Sequence, residues 1–209
     1  MALTITQFPA GPIETNAYLV VDDATGDAIV IDAPSESVDL IAGGIARTGA
    51  TVRSLIITHG HWDHIADTNA LARSLGVPVY AHAGVVDRVV NPVDGLPVPI
   101  APATVDHQLD EGDVVMVGSH SFTIMFLPGH DVGHIALYDA DDQIFLGGDV
   151  LFPGGHGRTD IPGSDQTVMN RTIKRLLDLP DDVVVYPGHG NVTTIGAERL
   201  WMTRLAADA

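Results

Sequence analysis

Four β-forming runs in this chain end in the same way. Leu55-Ile-Ile57 passes into Thr58-His-Gly-His-Trp-Asp-His64, and Phe126-Leu-Pro-Gly-His130, Phe145-Leu-Gly-Gly-Asp149 and Val185-Tyr-Pro-Gly-His189 each pass through glycine to an imidazole or a carboxylate. Glycine lets the backbone turn and approach a crowded centre closely. The fold therefore has to bring the ends of several strands to one place, with the candidate ligands on a rigid frame and the site between the loops.

In an extended strand end, side chains two apart point the same way, so His59 and His61 can face one metal. Asp63 and His64 follow after the chain turns toward the next helix and can face elsewhere. Cysteine is absent, which excludes disulfides, cysteine nucleophiles and cysteine-type zinc fingers. Any metal must use nitrogen and oxygen donors, a set suited to Zn²⁺ and, less selectively, to Fe or Mn. The candidate ligands His59, His61, Asp63, His64, His130, Asp149 and His189 do not fill two tetrahedral shells separately. A shared carboxylate and a shared water or hydroxide make up the difference, and Asp149 is the candidate bridge.

Around these motifs the chain alternates between short strands and helices. Strands are expected at Ala17–Val21, Ala28–Ile31, Ser54–Ile57 and Val77–Tyr80, then at Val114–Val117, Phe122–Leu127, Ile135–Tyr138, Gln143–Leu146 and Val183–Tyr186. Helical spacing of apolar residues predicts helices over Glu36–Arg47, Asp67–Ser74, Gly84–Val90, Gln166–Leu179 and Ile195–Ala206. Asn91–Ala103 carries four prolines and reads as a loop or flap. Two strand-rich halves, each finished by helices, imply a layered α/β arrangement with helices outside, in a single domain over residues 1–209.

The formal net charge is −17, with Lys174 the only lysine. Such a chain repels polyanions, so nucleic-acid binding is not expected. The apolar runs are too short to cross a bilayer, and the N-terminus lacks the basic start and apolar stretch of a secretory signal. A cytoplasmic protein with no membrane partner is the expectation.

In this order, THGHWDH, PGH, GGD and PGHG resemble the motifs of the metallo-β-lactamase superfamily, over nearly the whole chain. The resemblance implies a four-layered αββα sandwich with two divalent metal ions, zinc first and Fe or Mn as alternatives, at one edge. It implies that His59, His61 and His130 hold one metal, that Asp63, His64 and His189 hold the other, and that Asp149 bridges. It also matches Asp32 to a position that supports the metal loop.

Within the superfamily, Gly148-Asp-Val-Leu-Phe152 followed by Gly157-Arg-Thr-Asp160 is similar to glyoxalase II, the hydroxyacylglutathione hydrolases. That likeness implies hydrolysis of a small acyl thioester such as S-lactoylglutathione by a metal-bridging hydroxide, with Asp63 orienting the nucleophile. Arg158 stands where those enzymes carry a basic residue for the thiol carrier, and Asp160 where they carry an aromatic one. After Gly190 only one helix follows, whereas the standard enzymes add a helical domain there; short members without it are known. The Gly-Arg-Thr-Asp stretch also resembles the persulfide dioxygenases, which implies a single iron on His59, His130 and Asp149. A catalytically silent binding or scaffold protein fits poorly, because every ligand position is kept. Outside the motifs, His134 is a candidate donor supporting the ligands, and His156 a candidate substrate contact in the loop after Asp149. Trp62, Phe152 and the Asn91–Ala103 segment are candidate pocket walls.

Overall fold

Strict alternation along near-continuous apolar strands builds the layers. A computed structural model describes residues 2–207; the expected 1–209 unit extends beyond it at residue 1 and at residues 208–209, which lie outside the described residues. In chain order the strands and helices are β1 (Leu3–Ala10), β2 (Thr15–Asp22), β3 (Asp27–Ile31), α1 (Val38–Thr48), β4 (Thr51–Ile57), α2 (Trp62–Ile65), α3 (Thr68–Leu75), β5 (Val79–Ala81) and α4 (Val86–Val90). There follow β6 (His107–Gln108), β7 (Val114–Val117), β8 (His120–Phe126), β9 (Ile135–Asp139), β10 (Ile144–Gly148), α5 (Gln166–Leu176), β11 (Val184–Pro187), β12 (Thr193–Thr194) and α6 (Ile195–Ala206).

The strands form two six-stranded sheets, ordered β1-β2-β3-β4-β5-β6 and β12-β11-β10-β9-β8-β7. The first is antiparallel across β1-β2-β3 and parallel from β3 to β6. The second is antiparallel except for the parallel pair β10-β11. Parallel neighbours need a crossover, which α1 supplies between β3 and β4 and α5 between β10 and β11.

Residues two apart share a strand face. In β2 and β3, Ala17, Leu19, Val21, Ala28 and Val30 face an outer core with Ile41 of α1 and Leu71 of α3. Their neighbours Tyr18, Val20, Ile29 and Ile31 enter the space between the sheets, meeting Phe122, Ile124, Ile135, Leu137 and Leu146. On the far side, Leu127, Ala136, Phe145 and Val185 pack on Met169 and Ile173 of α5 and Met202 of α6. Three cores separate four layers, the αββα sandwich. Each fully buried Leu, Ile or Phe contributes about 1.5–3 kcal/mol. Among the described residues, no helix is long and apolar enough to cross a membrane.

Several boundaries differ from the expectation for local reasons. α1 begins at Val38 rather than Glu36, because Glu36 has φ 67° and cannot join a right-handed helix. β1, not foreseen, is an edge strand paired along its length with β2, a place that tolerates Pro9. Gln166–Leu179 is helical only to Leu176, and the start of Gly84–Val90 is a single 3₁₀ turn, Ala83–Val85.

Candidate metal centre

At one edge of the sandwich four strand ends deliver all seven candidate donors. β4 stops at Ile57, and His59 and His61 follow; the four-residue helix α2 turns Asp63 and His64 back toward the same point. His130 lies between β8 and β9, Asp149 directly follows β10, and His189 lies two residues past β11. Donor atoms of His59, His61 and His130 lie within 4.8 Å of one another, as do those of Asp63, His64 and His189. The Asp149 carboxylate touches both groups. Its Oδ2 is 3.4 Å from His130 Nε2, 3.9 Å from His59 Nε2 and 3.6 Å from His189 Nε2, and its Oδ1 is 3.3 Å from His64 Nε2. Asp63 Oδ2 lies 3.3 Å from His64 Nε2 and 3.2 Å from His189 Nε2.

Three imidazoles are aimed by what holds their outer nitrogen. His64 Nδ1 donates to Asp32 Oδ2 at 2.7 Å, and His130 Nδ1 to the Arg158 carbonyl at 2.8 Å. His59 Nδ1 donates to Thr58 Oγ1 at 3.1 Å, and that hydroxyl donates to Asp32 Oδ2 at 2.8 Å. A proton kept on Nδ1 leaves the Nε2 lone pair pointing inward. The Nε2 atoms of His59, His64 and His130, with Asp149 Oδ1, are buried and lack hydrogen-bond partners. Each such orphan costs about 1–3 kcal/mol. A divalent cation ligated by nitrogen and oxygen would satisfy all four, so the residues fit one.

Electrostatics divides the imidazoles. Burial, with the neighbouring His64, holds the His59 pKa well below its ordinary value, and burial with His130 brings His61 down to about 4. Both present neutral nitrogens at neutral pH. At His64 burial opposes charge, but Asp149, Asp63 and Asp32 outweigh it and hold the pKa well above the ordinary value, so without a cation its Nε2 also carries a proton, which a bound ion would displace to free the inward lone pair. Burial pushes the Asp63 carboxyl up, yet His64, His189 and the Thr15 hydroxyl together bring it to about 2.

Two glycines set the closeness of this packing. A Cβ at Gly188 would lie 2.0 Å from Asp149 Oδ1 and 2.7 Å from the His64 ring. Gly148 has φ +50°, and a Cβ there would meet His134 Nε2 at 2.7 Å and Thr58 Oγ1 at 2.8 Å.

Asp32, besides holding His64, accepts the Thr58 backbone N–H at 2.8 Å. His134 supports the site as an acceptor, not a donor: the Asp149 backbone N–H donates to its Nε2 at 3.0 Å, and its ring stacks on His59. Arg158 lines the cavity, its exposed guanidinium paired with Asp160 at 2.9 Å and 3.0 Å, while its carbonyl aims His130. His156 stands apart. Its Nδ1 bonds the Gly157 carbonyl, and it lines a neighbouring cleft with Trp201 and Arg204.

Four supports were not foreseen, and one of them, Thr58, holds His59 as described above. Thr15 Oγ1 donates to Asp63 Oδ2 at 2.8 Å from a strand 48 residues away. Asp131 Oδ2 lies 3.8 Å from His61 Nε2, and Asp131 is itself gripped by both terminal nitrogens of Arg88. Thr58 and Asp131 adjoin His59 and His130 in sequence, a signal available in hindsight; Thr15 and Arg88 carry none.

Above the donors opens a cavity of about 450 Å³, walled by Ile13, Trp62, Phe152 and Ile161 with Arg158 on its lining. Beyond Trp62 lies a smaller apolar cleft of about 190 Å³, where Pro92, Val93 and Leu96 of the proline-rich segment form the wall.

The family model described as the metallo-β-lactamase superfamily matches residues 10–189. The hydroxyacylglutathione hydrolase GloC of Haemophilus influenzae is 31% identical over 94% of this chain and 95% of its own length. Among solved structures, the BLEG-1 B3 metallo-β-lactamase superimposes with a TM-score of 0.85 at 31% identity, covering 93% of this chain and 95% of that one. TTHA1623 in a di-iron-bound form gives 0.81 at 35%, covering 93% and 96%. ETHE1 from Myxococcus xanthus gives 0.80 at 29%, covering 98% and 85%.

Proposed function

The chain belongs to the metallo-β-lactamase superfamily, and on that premise we propose that it is a metal-dependent hydrolase of a small acyl thioester, similar in activity to the hydroxyacylglutathione hydrolases. The observation that carries this reading is the convergence of both donor triads on the single carboxylate of Asp149, beneath a cavity with an arginine at its rim. His59, His61 and His130 would hold one divalent ion, Asp63, His64 and His189 a second, and Asp149 would touch both. Two such ions, when bound, lower the pKa of water toward 7 and polarise a carbonyl.

The chain's own groups account for the remaining requirements. Asp63, ionised at neutral pH and clamped by Thr15, orients the attacking water by accepting a hydrogen bond from it, and the water's proton passes to solvent. Trp62, Phe152, Ile13 and Ile161 exclude bulk water around the acyl group. Arg158 draws an anionic thiol carrier toward the rim. Attack on the carbonyl carbon breaks the carbon–sulfur bond, and the electron pair leaves on sulfur. A thiolate, with a free pKa of about 8.5, departs without a general acid. The amide nitrogen of a β-lactam must be protonated to leave, which favours the thioester.

A second reading rests on one observation. The Asp149 Oδ2 lies 3.4 Å and 3.9 Å from His130 and His59, the three residues a mononuclear iron would use, and the persulfide dioxygenase ETHE1 shares the fold. The deciding experiment measures metal content in protein isolated without added metal. It then measures turnover of a panel of acyl thioesters beginning with S-lactoylglutathione, and oxygen uptake on glutathione persulfide. Thioester turnover without oxygen uptake is expected. His59→Ala and Asp149→Ala should each abolish it by several orders of magnitude while the protein stays folded. One iron per chain with oxygen consumption and no thioester cleavage would overturn the hydrolase.

A further inference from the structure

The strands that build the candidate metal centre also converge at the opposite end of the sandwich. β2 begins at Thr15, which holds Asp63, and ends at Asp22. β8 begins at His120 and leads toward His130. β9 begins beside His134 and ends at Asp139, and β10 starts two residues after Asp142 and ends beside Asp149. At about 3.3 Å per strand residue, the two ends are roughly 20 Å apart.

At this far end a ring nitrogen of His120 and one oxygen each of Asp139 and Asp142 lie within 4.8 Å of one another. His120 Nδ1 sits 2.5 Å from Asp142 Oδ2, and its Nε2 lies 3.9 Å from Oδ1 of buried Asp22, contributed by the other sheet. Two atoms here lack what their neighbours have. His120 Nε2 and Asp139 Oδ2 are sheltered from solvent without a hydrogen-bond partner, on residues only 8% and 2% exposed. The other Asp139 oxygen, Oδ1, accepts the backbone N–H groups of Asp141 and Asp142 at 3.0 Å and 3.1 Å, so the turn fixes the carboxylate. Asp22 Oδ1 accepts the Ala24 N–H and its Oδ2 the Ser119 N–H and hydroxyl, but among the described residues neither Asp22 nor Asp142 forms an ion pair with lysine or arginine, only with His120. Among those residues a single histidine is the one basic side chain facing three carboxylates, two of them buried, and an unbalanced buried charge is costly.

We propose that His120, Asp139 and Asp142 form a second cation site, separate from the candidate metal centre. The ion it takes pins the start of β8 to the β9–β10 turn, with Asp22 balancing its charge from the facing sheet. One imidazole with carboxylates selects a divalent ion of the Zn²⁺, Fe²⁺ or Mn²⁺ kind. The site does not depend on the hydrolase reading, because it shares no residue with the cavity.

The test is a Zn²⁺ titration of the whole, chelator-treated, ¹⁵N-labelled protein followed by NMR. Zn²⁺ is diamagnetic, so the two ends report separately. Saturable shifts are expected at Ser119–Ser121 and Asp139–Asp142, with a change in the His120 ring ¹⁵N signals. Asp139→Asn and the more exposed Asp142→Asn should each remove that response and leave the response around Gly60–His64 intact; the spectra themselves report folding. Silence at the far end in the wild type with Zn²⁺ in large excess, or a response there that survives both substitutions, would overturn the site and leave His120 as a ring held only by Asp142.

Discussion

Asp32→Asn isolates how the fold decides which nitrogen of His64 faces the centre. Asp32 is buried, with φ 59°, a conformation asparagine also tolerates, so the substitution is nearly isosteric and adds no backbone strain. The carboxylate accepts three hydrogen bonds, from the Thr58 N–H, the Thr58 hydroxyl and His64 Nδ1, at 2.8, 2.8 and 2.7 Å. An amide cannot accept all three. With its oxygen toward the Thr58 N–H, its NH₂ faces His64 Nδ1, which must then accept. The ring proton moves to Nε2 and removes the inward lone pair. Loss of an outer partner of this kind costs about 10–100-fold in metal affinity, or about 1.4–2.8 kcal/mol. With metal in excess of both dissociation constants, metal-dependent stabilisation falls by the same amount. For a chain of this size that is about 3–11 °C in the melting temperature of the metal-loaded form. The assay is chelator competition for affinity, with thermal unfolding of the loaded and chelated proteins side by side. The tautomer argument requires the gap between loaded and chelated melting temperatures to shrink. A variant that melts lower in both forms by an equal amount, with wild-type affinity, would refute it.

Three further outcomes follow from other parts of the structure. Gly188→Ala puts a Cβ 2.0 Å from Asp149 Oδ1, so the carboxylate must move; turnover should drop at least about 10²-fold while the circular dichroism spectrum stays native. Phe145→Ala, fully buried under α5 and α6, should cost about 3–5 kcal/mol in denaturant unfolding without altering metal content. Glu198 ties α6 to the loop after Phe152, accepting from Gly154 N–H, Thr193 Oγ1 and Trp201 Nε1, each at 2.6 Å. Burial raises its pKa, but these donors outweigh burial and lower it below the ordinary glutamate value. The stability it contributes is therefore complete above that ordinary value and is lost as pH falls through the lowered one. Glu198→Gln should destabilise by about 1.5–3 kcal/mol at neutral pH. The gap to wild type should close below roughly pH 4, and a gap that widened in acid would reverse the sign.

Local pattern made the architecture and the donor set legible. Alternation through Tyr18–Val21 and Ile29–Ile31 marks strands buried on both faces, which require a layer on each side. Glycine followed by His130, Asp149 or His189 marks strand ends where a ligand can stand. What escaped the sequence were contacts between distant segments. Thr15 carries no motif, Arg88 lies in an ordinary helix, and His156 has the same neighbours in sequence as a pocket residue, yet its ring turns to a different cleft.

Residue type and spacing by themselves determined that imidazoles and carboxylates would stand at strand ends, with a metal limited to nitrogen and oxygen donors. Only the tertiary structure decided which nitrogen of each ring is bare, how closely Asp149 approaches both groups, and which rings reach the cavity. The physical reason is range. Strand and turn propensity act over a few neighbouring residues, whereas a histidine tautomer is set by whatever acceptor the fold brings to its outer nitrogen, as Asp32 does for His64 across 32 residues of chain.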